Sequence, residues 1–242
     1  MKLSKRLQMN ADLVPHGAKV ADIGCDHGYV SIYLAEKGKC RKVFAMDINQ
    51  GPLEIARKNI ELAGLTERIE CRRSDGVDKL EPGEADTLMI AGMGGMLVCE
   101  ILKKKPEVLG KINCLILQAQ SDWERLRRLL PKLGFYIEKE AVCYDAGKYY
   151  IAIRAVRGQE AIPYSDTEYV YGRILPREKD SCYQEYLQKE RKKVQQILNQ
   201  LEQKQSGHSM ARTEELAHIL KRIDKTLDIM NGGAHDYNNI GE

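Results

Sequence analysis

The first two thirds of the chain alternate short apolar runs with stretches of helical periodicity. Leu3, Leu7, Ala11 and Val14 recur at three- and four-residue steps and predict an opening helix. Lys19-Val20-Ala21-Asp22-Ile23 reads as a first strand, followed by a glycine-containing turn and a helix over Tyr29 to Lys37. Lys42 to Met46 predicts a second strand ending at Asp47. Pro52 then suits the first turn of a helix that Gly64 stops. Ile69 to Arg72, Asp86 to Ile90 and Cys114 to Gln118 predict strands three, four and five. Helices are expected up to Lys104 and from Trp123 to Leu133. A sixth strand opens at Phe135, and the turn Asp145-Ala146-Gly147-Lys148 joins it to a seventh over Tyr149 to Val156.

After Pro163 the strand pattern stops. Residues 166–205 are polar and helix-prone with an interruption at Pro176, and Leu187, Val194, Ile197, Leu198 and Leu201 form a narrow apolar stripe. Ser206-Gly207-His208-Ser209 reads as a turn, and Leu216, Ile219, Leu220, Ile223, Leu227 and Met230 continue at helical steps. This predicts an antiparallel, coiled-coil-like helical hairpin with a frayed Gly- and Asn-rich end from Asn231. Repeated strand–helix units imply a parallel, doubly wound α/β sheet, and the terminal hairpin makes the last of seven strands antiparallel. Five βα units closed by a hairpin resemble the Rossmann-like plan of class I methyltransferases. The expected division is a catalytic domain over residues 1–157 and the helical hairpin over 158–242.

Composition sharpens this modestly. With 43 % hydrophobic and 30 % charged residues the chain is ordinary for a globular protein. The net charge is +3, but the front part carries an excess of positive charge and the tail a slight excess of negative. Basic clusters at Lys2, Lys5 and Arg6, at Lys103 to Lys105, and at Arg125, Arg127, Arg128 and Lys132 are of the kind that meet a phosphate backbone, or they are solvated helix faces. The seven cysteines include no CxxC pair, so neither a disulfide framework nor a metal site is expected, and the reducing cytoplasm is the simplest compartment. No apolar run is long enough for a membrane span.

The chemistry concentrates at strand ends. Asp22-Ile23-Gly24-Cys25-Asp26-His27-Gly28-Tyr29 repeats Asp, Gly, Asp, Gly at a two-residue step, unlike the GxGxxG dinucleotide string. Asp22 and Asp26 repel a pyrophosphate and attract the ammonium and sulfonium of S-adenosyl-L-methionine, which disfavours a nicotinamide cofactor. Asp47, with Ile48 beside it, can take both ribose hydroxyls. Asp75-Gly76 can accept from an adenine amino group. Gly92-Met93-Gly94-Gly95 lets a transferred methyl approach the backbone. Cys25 borders this site with no partner that would make it a nucleophile.

Three strings go further. Leu3-Ser4-Lys5-Arg6-Leu7, the motif with its Asp26-His27 pair, and Ile90-Ala91-Gly92-Met93-Gly94-Gly95 together resemble the bacterial tRNA (adenine-22) N1-methyltransferases along the whole chain. The resemblance implies methyl transfer from S-adenosyl-L-methionine to N1 of a D-arm adenine, with tRNA as partner. It implies cofactor binding by Asp22, Gly24, Asp26, His27, Gly28, Asp47, Ile48, Asp75, Gly76, Gly92, Met93 and Gly94. It places Arg6, His27, Gly95 and Gln118 toward the substrate. Asp26 is either the catalytic carboxylate or the partner of the cofactor ammonium. One departure stands out, because Gln118-Ala119-Gln120 replaces the family's usual Gln-Pro-Asn. A methyltransferase acting on another substrate and a non-catalytic S-adenosyl-L-methionine sensor are the alternatives, and a monomer is the expected state. In the tail, the cluster Lys189, Arg191, Lys192 and Lys193 is expected to help grip the tRNA body.

Overall fold

The computed structural model describes residues 2–204 and 210–233. Contacts divide the chain into two compact units, Met1–Pro163 and Tyr164–Glu242. In the first unit seven strands form one sheet: β1 (Ala18–Ile23), β2 (Cys40–Asp47), β3 (Ile69–Arg73), β4 (Thr87–Met93), β5 (Cys114–Ala119), β6 (Phe135–Asp145) and β7 (Lys148–Arg157). Their order is β3-β2-β1-β4-β5-β7-β6. The first five strands run parallel, and β7 is antiparallel to both β5 and β6. Val20, Ala21, Val43, Ile90, Ile116 and Leu117 are fully buried, as strands covered by helices on both faces require.

Helices α1 (Lys5–Leu13), α2 (Tyr29–Glu36), α3 (Gln50–Leu62), α4 (Gly95–Lys104), α5 (Pro106–Leu109) and α6 (Trp123–Leu129) surround the sheet. Ser4 starts α1, its hydroxyl accepting the Leu7 N–H at 3.4 Å. The expectation of five βα units needs correction, because turns and no helix join β3 to β4. Gly76, Pro82 and Gly83 interrupt that segment. Ser74 organises it by accepting the Lys79 N–H at 3.0 Å and donating to the Gly76 carbonyl at 2.9 Å. Strand β4 also runs past its expected end, through a register shift between Ala91 and Met93 where Gly92 takes φ +80. The helix expected to Leu133 stops at Leu129, and Pro131 opens a separate 3-10 turn.

The second unit holds α7 (Asp166–Tyr171), α8 (Ile174–Glu178), α9 (Ser181–Lys204) and α10 (Met210–Met230). The expected break at Pro176 is displaced. Pro176 sits in the first turn of α8, where its missing N–H has no intrahelical partner to lose. The chain turns instead at Gly172 and at Lys179, φ +54. Arg191 with Asp224 and Gln184 with Asn231 show that α9 and α10 run antiparallel. Leu216, Ile223 and Met230 are buried at seven-residue steps, as are Leu187 and Val194. Ile197, expected on the stripe, is 41 % exposed. The turn expected at 206–209 lies outside the described residues, as does the end expected to fray from Asn231 beyond residue 233; Asn231, Gly232 and Gly233 are still held by backbone hydrogen bonds to α10. Among those residues no helix is long and apolar enough to cross a membrane.

Candidate active site

Strand order reverses between β1 and β4, and open α/β sheets bind ligands in the crevice outside the carboxyl ends at such a point. A cavity of about 610 Å³ opens there. One side of it is acidic. Asp22, next to last in β1, is only 5 % exposed, and Ser31 donates to its Oδ2 at 2.6 Å. Burial raises the Asp22 carboxyl to about 6, the Ser31 bond opposes this, and the charge of Asp47 adds to it. Gly24, Asp26 and Gly28 all take left-handed backbone, φ +74, +52 and +75. That is the physical content of the two-residue step in the motif, since glycine and aspartate tolerate this region best. A Cβ on Gly24 would overlap the Met93 terminal methyl, so the β1 turn and the end of β4 meet with no room to spare.

The backbone of that turn is tied to the end of β2. Asp47 Oδ2 accepts the Asp26 N–H at 3.2 Å, and Oδ1 accepts the Asn49 N–H at 2.8 Å. Each carboxylate oxygen retains a lone pair for a ligand. Asp75 also reaches the wall, with its Oδ2 held by Lys104 Nζ at 2.7 Å; Lys104 takes Asp78 as well, at 2.8 Å. The Cys25 thiol is pushed well up by burial and by the surrounding carboxylates, so it stays protonated and inert.

The opposite side has a different character. Arg6, from α1, is the only cation among the described residues of the wall. Its guanidinium donates to Gln118 Oε1 at 3.1 Å and lies 5.5 Å from the centre of the Tyr150 ring. Its backbone N–H donates to Asp145 Oδ2 at 3.0 Å, the main reason the Asp145 carboxyl lies below the usual range. Gln120 donates from Nε2 to the Gly92 carbonyl at 2.9 Å, bracing the bulge of β4.

Of the residues expected at the site, the structure keeps His27, Gly28, Gly94, Gly95 and Gln118 off the wall and brings the others to it. The His27 ring packs edge-on to Tyr29 at 5.8 Å, with Nε2 3.4 Å from the Asp26 carboxylate. Gly28 lies against α3, where a Cβ would come within 3.2 Å of Ala56. Gly94 caps α4, and a Cβ on Gly95 would overlap the Ser121 carbonyl. Gln118 is fully buried and meets the cavity only through Arg6. Sequence reasoning missed Tyr150, Asn49, Ser74 and Gln120. Tyr150 stands at the start of β7, and only the placement of β7 beside β5 brings it to the carboxyl ends of the parallel strands.

Four wall carboxylates, Asp22, Asp26, Asp47 and Asp75, against one guanidinium suit a cationic nucleoside cofactor and oppose a phosphate-bearing one. The donor set and the glycine cradle thus fit S-adenosyl-L-methionine. Among the described residues no cluster of His, Cys, Asp and Glu is suited to a metal ion.

Comparison with known proteins gives the family. Residues 3–153 match the family described as "Methyltransferase domain". The tRNA (adenine(22)-N(1))-methyltransferase of Bacillus subtilis is 31 % identical over 233 residues, 94 % of this chain and 98 % of the relative. A crystal structure of the B. subtilis m1A22 tRNA methyltransferase superposes with a TM-score of 0.84 at 32 % identity, covering 94 % of this chain and 99 % of that one. The M. capricolum TrmK structure, in complex with the cofactor product S-adenosyl-homocysteine, gives 0.83 at 30 % identity over 95 % of this chain and 100 % of that one. Matched over 94 % of its length by a relative 31 % identical, the chain belongs to the tRNA (adenine(22)-N(1))-methyltransferase family.

Proposed function

We propose that the protein transfers the methyl group of S-adenosyl-L-methionine to N1 of an adenine, position 22, in the D-arm of tRNA. The observation that carries this reading is the polarity of the cavity. Carboxylates line the side bounded by β1, β2 and β3, and a buttressed guanidinium with an aromatic ring lines the other. When bound, the cofactor supplies an electrophilic methyl on a sulfonium.

The residues of the chain have separable tasks. Asp22, buried and aided by Ser31, takes the cofactor ammonium. Asp47 takes the ribose hydroxyls, with Ile48 against the nucleoside, and Asp75-Gly76 faces the adenine amino group. Gly24, Gly92, Met93 and Gly94 keep the backbone close to the reacting centre, and Gly28 and His27 hold the turn that carries Asp26. Asp26, with 69 % of its side chain exposed, is assigned to the reacting centre rather than to the ammonium.

Adenine N1 has an in-plane lone pair, so no base need remove a proton before attack. Positioning therefore supplies most of the rate. The base must leave its stack to reach the cavity. Its product is cationic, and the Asp26 carboxylate stabilises the charge as it develops. Arg6, oriented by Gln118, positions the incoming nucleotide, with Gly95 and His27 at the flanks of its path. The helical tail, with Lys189, Arg191, Lys192 and Lys193, grips the tRNA body. In this reading the protein works as a monomer in the cytoplasm.

The test is methyl transfer from labelled S-adenosyl-L-methionine to unmodified tRNA transcripts, with nucleoside analysis of the product. 1-Methyladenosine that disappears when the D-arm adenine is replaced is the expected result. Cofactor binding without transfer to any tRNA would move the reading to another substrate or to a sensor.

A further inference from the structure

Two glutamines stand at the carboxyl end of β5, and they differ in what they leave free. Gln118 is fully buried, its Oε1 accepting from Arg6 and its Nε2 donating to the Ala119 carbonyl at 3.1 Å. Gln120 stands on the cavity wall. It is pinned to the end of β4 through both its main chain and its side chain. The backbone N–H donates to the Met93 carbonyl at 2.9 Å, and Nε2 donates to the Gly92 carbonyl at 2.9 Å. Only the nitrogen of a side-chain amide can donate to a carbonyl, so the bond to Gly92 settles which end of the amide is which. Among the described residues Oε1 has no hydrogen-bond partner, and it keeps both lone pairs.

The neighbouring polar groups do not duplicate this acceptor. Arg6 carries donors only, and a tyrosine hydroxyl such as that of Tyr150 both donates and accepts. Arg6 meets the same stretch of backbone, since a Cβ on Gly92 would come within 3.1 Å of its Nη1. In the sheet, β4 lies between β1 and β5, so Gly92 and Met93 separate the turn that carries Asp26 from Gln120. A purine whose N1 faces the end of β4 is told apart by the group on its adjoining carbon. Adenine carries an amino group there, which donates. Guanine and hypoxanthine carry a carbonyl, which accepts and is repelled by a free amide oxygen. Turning the Gln120 amide to offer an N–H instead gives up its bond to Gly92.

We propose that Gln120 Oε1 accepts the exocyclic amino group of the target adenine and so selects an amino purine over a carbonyl purine. The inference rests on the adenine-N1 reading above and deepens it. Attack by N1 leaves positive charge that spreads onto the amino nitrogen. The amino N–H becomes a stronger donor as the methyl is transferred, and its bond to Oε1 strengthens toward the transition state. The competing role is purely structural, a brace for the bulge at Gly92.

A cycle of enzyme and substrate changes separates the two roles. Wild type, Gln120→Met and Gln120→Ala are assayed at saturating cofactor on tRNA carrying either adenine or unsubstituted purine at the target position. Purine keeps N1 and lacks the amino group. Its lower intrinsic reactivity and any loss of the brace affect each comparison alike and cancel in the ratio of kcat/KM values. The preference of wild type for adenine over purine is expected to exceed that of either variant by about tenfold, the scale of one hydrogen bond to a developing charge. An equal preference in wild type and in both folded variants overturns the proposal and leaves a brace. Wild-type protein that makes no 1-methyladenosine on tRNA removes the underlying reading, whereas active wild type with the same preference as its variants removes this inference alone.

Discussion

The two sides of the cavity are built in opposite ways. The acidic side is local. Asp22, Asp26, Asp47 and Asp75 stand at or just past the ends of consecutive strands, and their backbone ties span short sequence distances, as from Asp26 to Asp47. The Arg6 side is assembled from afar. Arg6 is held by Gln118, 112 residues away, and by Asp145, 139 residues away. A cofactor shared across a fold class can be met by a short motif repeated at strand ends. In the proposed reading, a substrate particular to one family is met by parts that only the finished sheet brings together.

Substitutions can break this contrast. The largest effect is expected from Asp47→Ala, which removes an acceptor of two backbone N–H groups and the proposed partner of the cofactor ribose. Cofactor affinity measured by calorimetry should fall roughly 100-fold or more, at about 1.5–3 kcal/mol per bond to a charged group. Arg6→Ala should lower kcat/KM for tRNA by roughly 10- to 100-fold on the same scale while cofactor affinity changes little. A comparable loss of cofactor affinity in Arg6→Ala would erase the distinction between the sides.

Close backbone approaches sharpen it next. Gly95→Ala drives a Cβ into the Ser121 carbonyl, which cannot swing aside, and should cost about 1–3 kcal/mol in denaturant unfolding. Cofactor affinity of the folded fraction should stay near wild type, because Gly95 is off the wall. Gly24→Ala combines left-handed strain of about 1–2 kcal/mol with displacement of Met93, and should lose stability and cofactor affinity together.

Asp22 gives the acidic side a pH signature. Its folded value of about 6 lies above the ordinary 3.8, so the buried carboxyl prefers to be neutral. Its contribution to the stability of the cofactor-free protein is complete below about 3.8 and is lost as pH rises through about 6. Asp22→Asn should remove that loss, on the order of 2–3 kcal/mol, in paired pH titrations of stability. Binding a cation reverses the preference. Wild-type affinity for the cofactor should therefore rise up to about tenfold from pH 5 to pH 7 and then level off. A flat profile would place the ammonium elsewhere. The smallest effect belongs to His27→Ala, whose ring reaches the site only beside Asp26 and Tyr29. Cofactor affinity should change by less than about fivefold, the scale of an exposed pair.

The same contrast explains what the amino-acid string disclosed. Strand ends are marked by local chemistry, so the Asp22 to Gly28 turn, Asp47 and Asp75 could be read directly, and the closing hairpin gave the antiparallel strand. The β3–β4 connection misled because strand–helix alternation is a habit of such sheets, whereas Gly76, Pro82 and Gly83 favour turns there. Pro176 misled because a proline breaks a helix interior but fits a first turn, and the string alone does not say which position it holds. Gln118 looked like a base-reading side chain beside an altered motif. Its complete burial beneath Arg6 follows from a contact across 112 residues, which no local pattern encodes. Tyr150 was hidden for the same reason.

The most direct test of the two-sided cavity is a paired titration of Asp47→Ala and Arg6→Ala, each measured for cofactor affinity and for tRNA KM in the methyl-transfer assay. The account predicts a crossed result: Asp47→Ala loses cofactor affinity and, at saturating cofactor, keeps its tRNA KM, while Arg6→Ala does the reverse. Parallel losses of both quantities in both variants would contradict it.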